Sequence, residues 1–218
     1  MSGAEKEGGM GMAPENPVLE AIRARRSIRL YKPDPVPEDL LRQVLDAAHW
    51  APSAANLQPW QFVVVTDAGL RRELGKHARL FILRFKHVEH APVVIAILGN
   101  PAASRWHRID CSLAGANIML AAHALGLGTC WIGAFYKDRV RATLGIPASL
   151  DVVGLITLGF PDEAPAATPR FELDDIVHRE RFEPGRAPTL ARRLMRSGVY
   201  SLRRRLRSVV APRVKKRR

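Results

Sequence analysis

Residues 110–125 run Asp-Cys-Ser-Leu-Ala-Gly-Ala-Asn-Ile-Met-Leu-Ala-Ala-His-Ala-Leu, and Leu113, Ala114, Ile118, Met119, Leu120, Ala121 and Ala122 make this helix apolar nearly all round. A surface helix carries one apolar stripe, whereas a helix without a polar face has to be covered on every side. The rest of the chain must therefore wrap this segment as a central buried helix. With 218 residues, 47% of them hydrophobic, there is enough material for one domain with a substantial core.

The remaining patterning supplies the wrapping. Phe62-Val63-Val64-Val65 within 61–66 and Val93-Val94-Ile95-Ala96-Ile97-Leu98 within 92–99 are continuous apolar runs, as buried strands are. Thr129-Cys130-Trp131-Ile132 and the run of Val152, Val153, Leu155, Ile156 and Leu158 in 151–160 add two more strands. Helical spacing marks 17–26, 38–48, 70–90 and 137–144, with Glu38 and Asp39 suitably placed in a first turn. Gly126 and Gly128 end the central helix. Strands separated by helices argue α/β or α+β, without the regular cadence of a doubly wound sheet. Gly126-Leu127-Gly128 follows a helix instead of a strand, so it is not a dinucleotide fingerprint.

Charge divides the chain. The net charge is +13, but thirteen of the 34 Lys and Arg lie in 185–218, where no acid occurs, leaving 21 basic and 21 acidic residues before it. The leader, 1–17, and the body, 18–184, together are neutral. The tail, 185–218, places Leu190, Leu194, Tyr200, Leu202, Leu206 and Val209 among arginines at mostly helical spacing, a basic amphipathic helix interrupted at Gly198. It fits an anionic membrane surface, nucleic acid, or a solvated extension. The leader, 1–17, carries Glu, Gly and Lys in place of a signal peptide's apolar stretch, so a disordered leader and a cytoplasmic location are expected. Cys111 and Cys130 stand in apolar segments, as buried thiols of a reducing compartment do. The seven histidines show no zinc-like pairing, no metal site is expected, and His87 with His90 reads as surface.

Two clusters carry chemistry. Arg25-Arg26-Ser27-Ile28-Arg29 is a cationic turn suited to a phosphate, which planar guanidinium groups meet with paired, charge-assisted hydrogen bonds. Ala51-Pro52-Ser53-Ala54-Ala55-Asn56-Leu57-Gln58-Pro59-Trp60 is small, polar and bounded by prolines, suited to lying against a flat heterocycle. Asn56 presents a donor and an acceptor, which the pyrimidine edge of a flavin ring requires, and Gln58 has the same capacity. Together the clusters point to flavin mononucleotide. Arginines in a turn and an asparagine before a proline are also ordinary surface features, so each cluster alone is a weak signal.

Four ordered motifs make the chain similar to the nitroreductase family: Arg25-Arg26-Ser27-Ile28-Arg29; Ala51-Pro52-Ser53 leading into Asn56-Leu57-Gln58-Pro59-Trp60 before a strand; Leu125-Gly126-Leu127-Gly128-Thr129-Cys130-Trp131-Ile132-Gly133 after a long helix; and Leu158-Gly159-Phe160-Pro161 followed by Pro169-Arg170. The resemblance covers about 18–182. It implies an α+β fold with a central mixed or antiparallel sheet flanked by helices, in an interlocked homodimer with a flavin in each of two interface pockets.

By this resemblance Arg25 and Arg170 hold the FMN phosphate with Ser27 beside them, and Arg26 is a further candidate. Arg29 is the cation at the N1 and C2-carbonyl edge, where the charge of reduced flavin collects. Asn56, more clearly than Gln58, meets the pyrimidine edge; Pro52 and Ser53 pack beside the ring from the partner subunit; Ile132, Gly133 and Ala134 bring backbone towards N5. Some members carry an acid where Gly133 stands. The implied reaction is a ping-pong exchange: NADH or NADPH gives a hydride to the flavin and leaves, and a nitroaromatic, quinone or similar acceptor takes its place. No side chain acts as a nucleophile. Trp106, His107 and Arg108 are candidates for the acceptor pocket. The same fold also serves dehalogenation, enone reduction and flavin cleavage, and a non-enzymatic flavin-binding module docked by its basic tail is the alternative outside enzymes.

Overall fold

The computed structural model describes residues 16–80, 83–185, 187–189 and 191–193. The chain divides into two compact units, Met1–Pro165 and Ala166–Arg218. The first contains helices α1 (Pro17–Ala24), α2 (Glu38–His49), α3 (Ala68–His77), α4 (His87–His90), α5 (His107–Ala124) and α6 (Lys137–Leu144), with strands β1 (Trp60–Val65), β2 (Arg79–Leu80), β3 (Leu83–Arg84), β4 (Val93–Gly99), β5 (Gly128–Ile132) and β6 (Asp151–Gly159). The second contains the short helix α7 (Leu173–Ile176).

Hydrophobic runs determine the sheet. β4 is buried at all seven positions and sits inside an antiparallel sheet of order β1-β4-β6-β5. Successive side chains on a strand point to opposite faces, so each run serves two layers. Val93, Ile95 and Ile97 face a core with Leu41, Val44 and Ala48 of α2 and Cys111, Ala114, Ile118 and Ala122 of α5. Val94, Ala96 and Leu98 face a second core with Leu74, Val88, Val140, Ile132 and Leu155. The fold is α+β, with helices on both faces of an antiparallel sheet.

Local signals account for the helix ends. Asn16 Oδ1 accepts from the amides of Val18 (3.0 Å) and Leu19 (3.3 Å) ahead of Pro17, and Asp67 Oδ1 accepts from Leu70 N at 2.7 Å. Gly145 closes α6 with φ +63°, and Gly126 turns the chain after α5 with φ +76°.

Three expectations are corrected. The stretch 70–90 is not one helix: Ala78 bridges to Phe135, and β2 and β3 pair as a two-stranded sheet between α3 and α4. A tertiary contact overrides helical spacing there. His87 is buried, not at the surface. Helix α5 starts at His107 and packs only one face on the sheet, leaving Ile109 56% and Leu113 40% exposed. Helix α1 buries none of its residues, with Val18 62% and Ile22 52% exposed.

The second unit places Arg192 Nη2 2.8 Å from Asp175 Oδ2, and the guanidinium groups of Arg192 and Arg193 lie 5.9 and 5.8 Å from the Phe171 ring. The amphipathic pattern expected in the tail falls almost wholly outside the described residues, as do 1–15 of the leader.

Candidate functional site

The cationic turn is strung along the outer edge of β5. Arg25 caps α1 by donating its amide to Ala21 O at 3.0 Å; Ser27 then bridges in parallel to Thr129, and Ile28 N donates to Thr129 O at 2.9 Å. Gly128 makes room for this approach, since a Cβ there would meet Ile28 Cβ at 2.8 Å. Further on, Lys32 N donates to Phe160 O at 2.9 Å and Asp162 N to Leu30 O at 3.0 Å. The Glu163 carboxylate accepts from the backbone amides of both Arg29 and Leu30, the latter at 3.0 Å.

The side chains of the turn separate in role. Arg26 folds back, its Nη1 donating to Arg23 O at 2.6 Å and Arg25 O at 2.9 Å, so it braces the turn. Arg25 is half-buried, whereas Arg29 is exposed and donates from Nη1 to Ser27 O at 3.3 Å. Beneath them is a buried polar layer. Tyr31 OH donates to Ile28 O at 2.6 Å and shares a 2.7 Å hydrogen bond with Thr157 Oγ1; burial raises its pKa far above the ordinary phenol value, so it keeps its proton. Burial also pushes the Cys130 thiol up, against the charges of Arg29 and Arg25 and a hydrogen bond with Ser27. For His87, burial brings the pKa down to about 4; Arg29 adds to the shift and Glu163 opposes it. The imidazole is therefore a neutral base, and its Nε2 is buried without a hydrogen-bond partner among the described residues.

At the other end of β5, Ile132 is buried and Gly133 exposed. Ala134 O accepts from Arg79 N at 3.0 Å, and Tyr136 N donates to His77 O at 3.1 Å, which pins this segment to the end of α3. Among the described residues, a Cβ at Gly133 would meet only Trp131 Nε1, at 3.5 Å, an ordinary contact.

The loop 53–58 lies before β1. Ala55, Asn56 and Gln58 all have positive φ, 47°, 55° and 45°, a left-handed conformation that costs non-glycine residues energy and clusters at functional sites. Ser53 Oγ accepts from Gln58 N at 3.0 Å, and Gln58 Nε2 donates to Asn56 Oδ1 at 3.2 Å and Asn56 O at 3.3 Å. The two amide residues thus differ in role: Gln58 orients Asn56, and both are exposed. Pro52 is exposed and Ser53 half-buried, while Trp60 is a core residue. Asp110 Oδ1 accepts from Ala54 N at 3.2 Å, an anchor for which the sequence shows no motif.

These two clusters occupy opposite borders of the sheet. Ser27 pairs outside β5, whereas the loop leads into β1 at the other edge. Thr129 lies opposite Leu158 and Leu158 opposite Val93, while Trp60 lies opposite Gly99, so the clusters are also offset along the strands. Four strand spacings of ~4.8 Å and six residues of ~3.3 Å put them about 27 Å apart on the diagonal, beyond the span of one flavin mononucleotide. Arg170 belongs to the second unit, where it is exposed.

The three residues expected around the acceptor stand together at the start of α5. Trp106 is exposed with the Arg105 guanidinium 5.0 Å from its ring, but Arg108 Nε and Lys137 Nζ each lie 2.7 Å from the Asp151 carboxylate, with His107 Nε2 at 3.4 Å. Burial works against the Asp151 charge, yet the Lys137 and Arg108 bonds hold its carboxyl below the usual range. His107 and Arg108 thus both contact Asp151. Among the described residues there is no group of three or more His, Cys, Asp or Glu that could hold a metal, and no helix long and apolar enough to cross a membrane.

Known proteins share this fold. The sequence profile of the nitroreductase family matches residues 22–160. An NADH dehydrogenase of Thermus thermophilus is 35% identical over 201 residues, covering 74% of this chain and 96% of that protein. An oxygen-insensitive NADPH nitroreductase of Salmonella typhimurium is 28% identical over 192 residues, covering 81% and 79%. Among solved structures, an FMN-dependent nitroreductase from Clostridium difficile matches with a TM-score of 0.68 at 30% identity, covering 75% of this chain and 99% of that one. With its antiparallel sheet, its cationic turn on β5 and its loop before β1, this chain belongs to the nitroreductase family.

Proposed function

We propose that the protein is an FMN-dependent oxidoreductase that takes hydride from NADH or NADPH and passes it to a nitroaromatic, quinone or similar small acceptor, as a cytoplasmic homodimer. When bound, FMN supplies the redox chemistry, exchanging a hydride at N5 first with the nicotinamide and then with the acceptor.

The residues present suit that group. Arg25 and the Ser27 hydroxyl, on a turn held by Glu163, hold the phosphate, and the resemblance alone adds Arg170. Arg29 keeps a cation at the pyrimidine edge, where it favours the electron-rich form. Gly133 and Ala134 bring backbone, with no side chain at 133 in the way, up to the N5 side. Asn56, fixed by Gln58, offers its amide to the pyrimidine edge, and Pro52 and Ser53 shield the ring from water.

The observation that carries this reading is the placement of two prepared half-sites about 27 Å apart on one sheet. A second copy supplies the missing half: the turn of one protomer and the loop of its partner form one site, and the reciprocal pair forms another. The uncovered apolar residues of α1 and α5, Val18, Ile22, Ile109 and Leu113, are the surface that such a partner covers.

Sedimentation of the purified protein together with chromatography of the cofactor it releases tests this. A dimer releasing one FMN per chain is expected, with parallel lines in double-reciprocal plots of donor against acceptor. A monomer that binds FMN tightly contradicts the shared site.

A further inference from the structure

We infer that Asp110 is the positioning residue for the half-site that loop 53–58 contributes, and that it acts on the flavin held mainly by the partner subunit. The inference rests on the FMN reading above.

Asp110 is only 3% exposed, and a buried carboxylate persists where its oxygens are hydrogen-bonded. Its oxygens are divided between two segments. Oδ1 accepts from Ala54 N at 3.2 Å, and Oδ2 accepts from the hydroxyl of Ser104, itself buried, at 3.0 Å. Ser104 Oγ accepts in turn from Trp106 N at 3.1 Å, and Ser104 N donates to Asn100 O at 3.2 Å. Asn100 N then donates to Pro59 O at 2.8 Å, just beyond the loop. The loop is thus clamped at both ends, at Ala54 by Asp110 and at Pro59 by the turn that Ser104 ties to Asp110. Between the clamps are the left-handed residues Ala55, Asn56 and Gln58, none of them glycine.

A strained conformation persists only where its surroundings over-determine it. Asp110 stands in the first turn of α5, where the helix favours negative charge while leaving both carboxylate oxygens free to accept from outside. The loop side chains are exposed whereas their anchor is buried, an arrangement that holds Asn56 ready for a ligand without the anchor touching that ligand.

The test uses full-length variants and FMN as the probe. Asp110→Ala is expected to weaken FMN binding about 10–100-fold, the loss of a buried hydrogen bond to a charged group, with the dimer and far-UV spectrum unchanged. Asp110→Asn, which retains an acceptor for Ala54 N, is expected to recover most of that affinity. Equal loss in both variants, or no loss in Asp110→Ala, overturns the inference. If Asp110→Ala does not fold, Ser104→Ala carries the test: weaker FMN binding by a folded dimer supports the clamp, and unchanged binding overturns it.

Mixed dimers decide which site Asp110 serves. Arg25→Ala damages the phosphate half and Asp110→Ala the ring half, so a dimer with one chain of each has one doubly damaged site and one intact site. One tightly bound FMN per mixed dimer, under conditions where neither variant alone is loaded, is expected. No tight site in the mixed dimer shows that Asp110 serves its own chain's flavin and overturns the inference. Wild-type protein that takes up no FMN refutes the functional reading instead.

Discussion

The Trp131 ring provides the most exacting structural prediction, because two glycines make room for it from separate elements. A Cβ at Gly115 of α5 would lie 2.3 Å from Trp131 Cζ3 and 3.0 Å from Ile97 Cδ1. A Cβ at Gly154 of β6 would lie 2.4 Å from Trp131 Cζ2, so the ring has no free retreat towards the sheet. Gly115→Ala then sets two effects against each other. Alanine in a helix interior gains about 1 kcal/mol over glycine. Ordinary carbon contacts lie at about 3.5–4.0 Å, so the ring must move by more than 1 Å, and overpacking of this kind costs roughly 1–3 kcal/mol. The upper end applies to so short an approach, and the net expectation is a destabilisation of about 1–2 kcal/mol. Urea denaturation at fixed protein concentration measures it. In a Trp131→Phe background the benzo carbons that clash are gone, and Gly115→Ala should become neutral or stabilising, a coupling of about 2 kcal/mol. If Gly115→Ala alone stabilises by the full helix-propensity gain, or the cycle shows no coupling, the glycine cradle is not what positions Trp131.

Two further predictions concern the layer at the cationic turn. His87 titrates at about 4 in the folded protein against 6.5 ordinarily, so between these values the unfolded chain binds the extra proton; stability is fully present above pH 6.5 and falls as pH drops through 4. At about 1.4 kcal/mol per unit the loss is on the order of 3–4 kcal/mol; Arg29 and Glu163 are the charges acting on His87, and a His87→Phe variant whose stability declines as steeply over that interval would remove the imidazole as the cause. Arg29→Ala should lower the flavin reduction potential by about 30 mV, the equivalent of ~1.4 kcal/mol in a two-electron couple, modest because Arg29 is exposed, with a smaller effect on FMN affinity; spectroelectrochemistry giving an unchanged potential contradicts its electronic role.

How far the sequence was legible depends on the range of the forces involved. The four strands of the main sheet follow from short apolar runs, and Gly126 marks the end of α5 because a left-handed turn is a local signal. The cationic turn is legible because five adjacent residues carry it. The break in 70–90 is not, because it depends on Ala78 pairing with Phe135 far along the chain. Helix α5 is apolar on nearly all sides in sequence, yet Ile109 and Leu113 remain exposed because the helix packs a single face on the sheet. Asp110 and Glu163 are single acids outside any motif; the one available signal was an acid at the head of an otherwise apolar helix. Nor does sequence reveal the strain at Ala55 and Gln58, residues whose positive φ no local preference anticipates.

The most direct measurement is an anaerobic titration of the purified protein, followed by its visible flavin spectrum. NADH or NADPH should bleach the flavin band at one equivalent per bound FMN, and a nitroaromatic or quinone added afterwards should restore it without further donor. A flavin spectrum that persists under excess of both nicotinamides would contradict the oxidoreductase account.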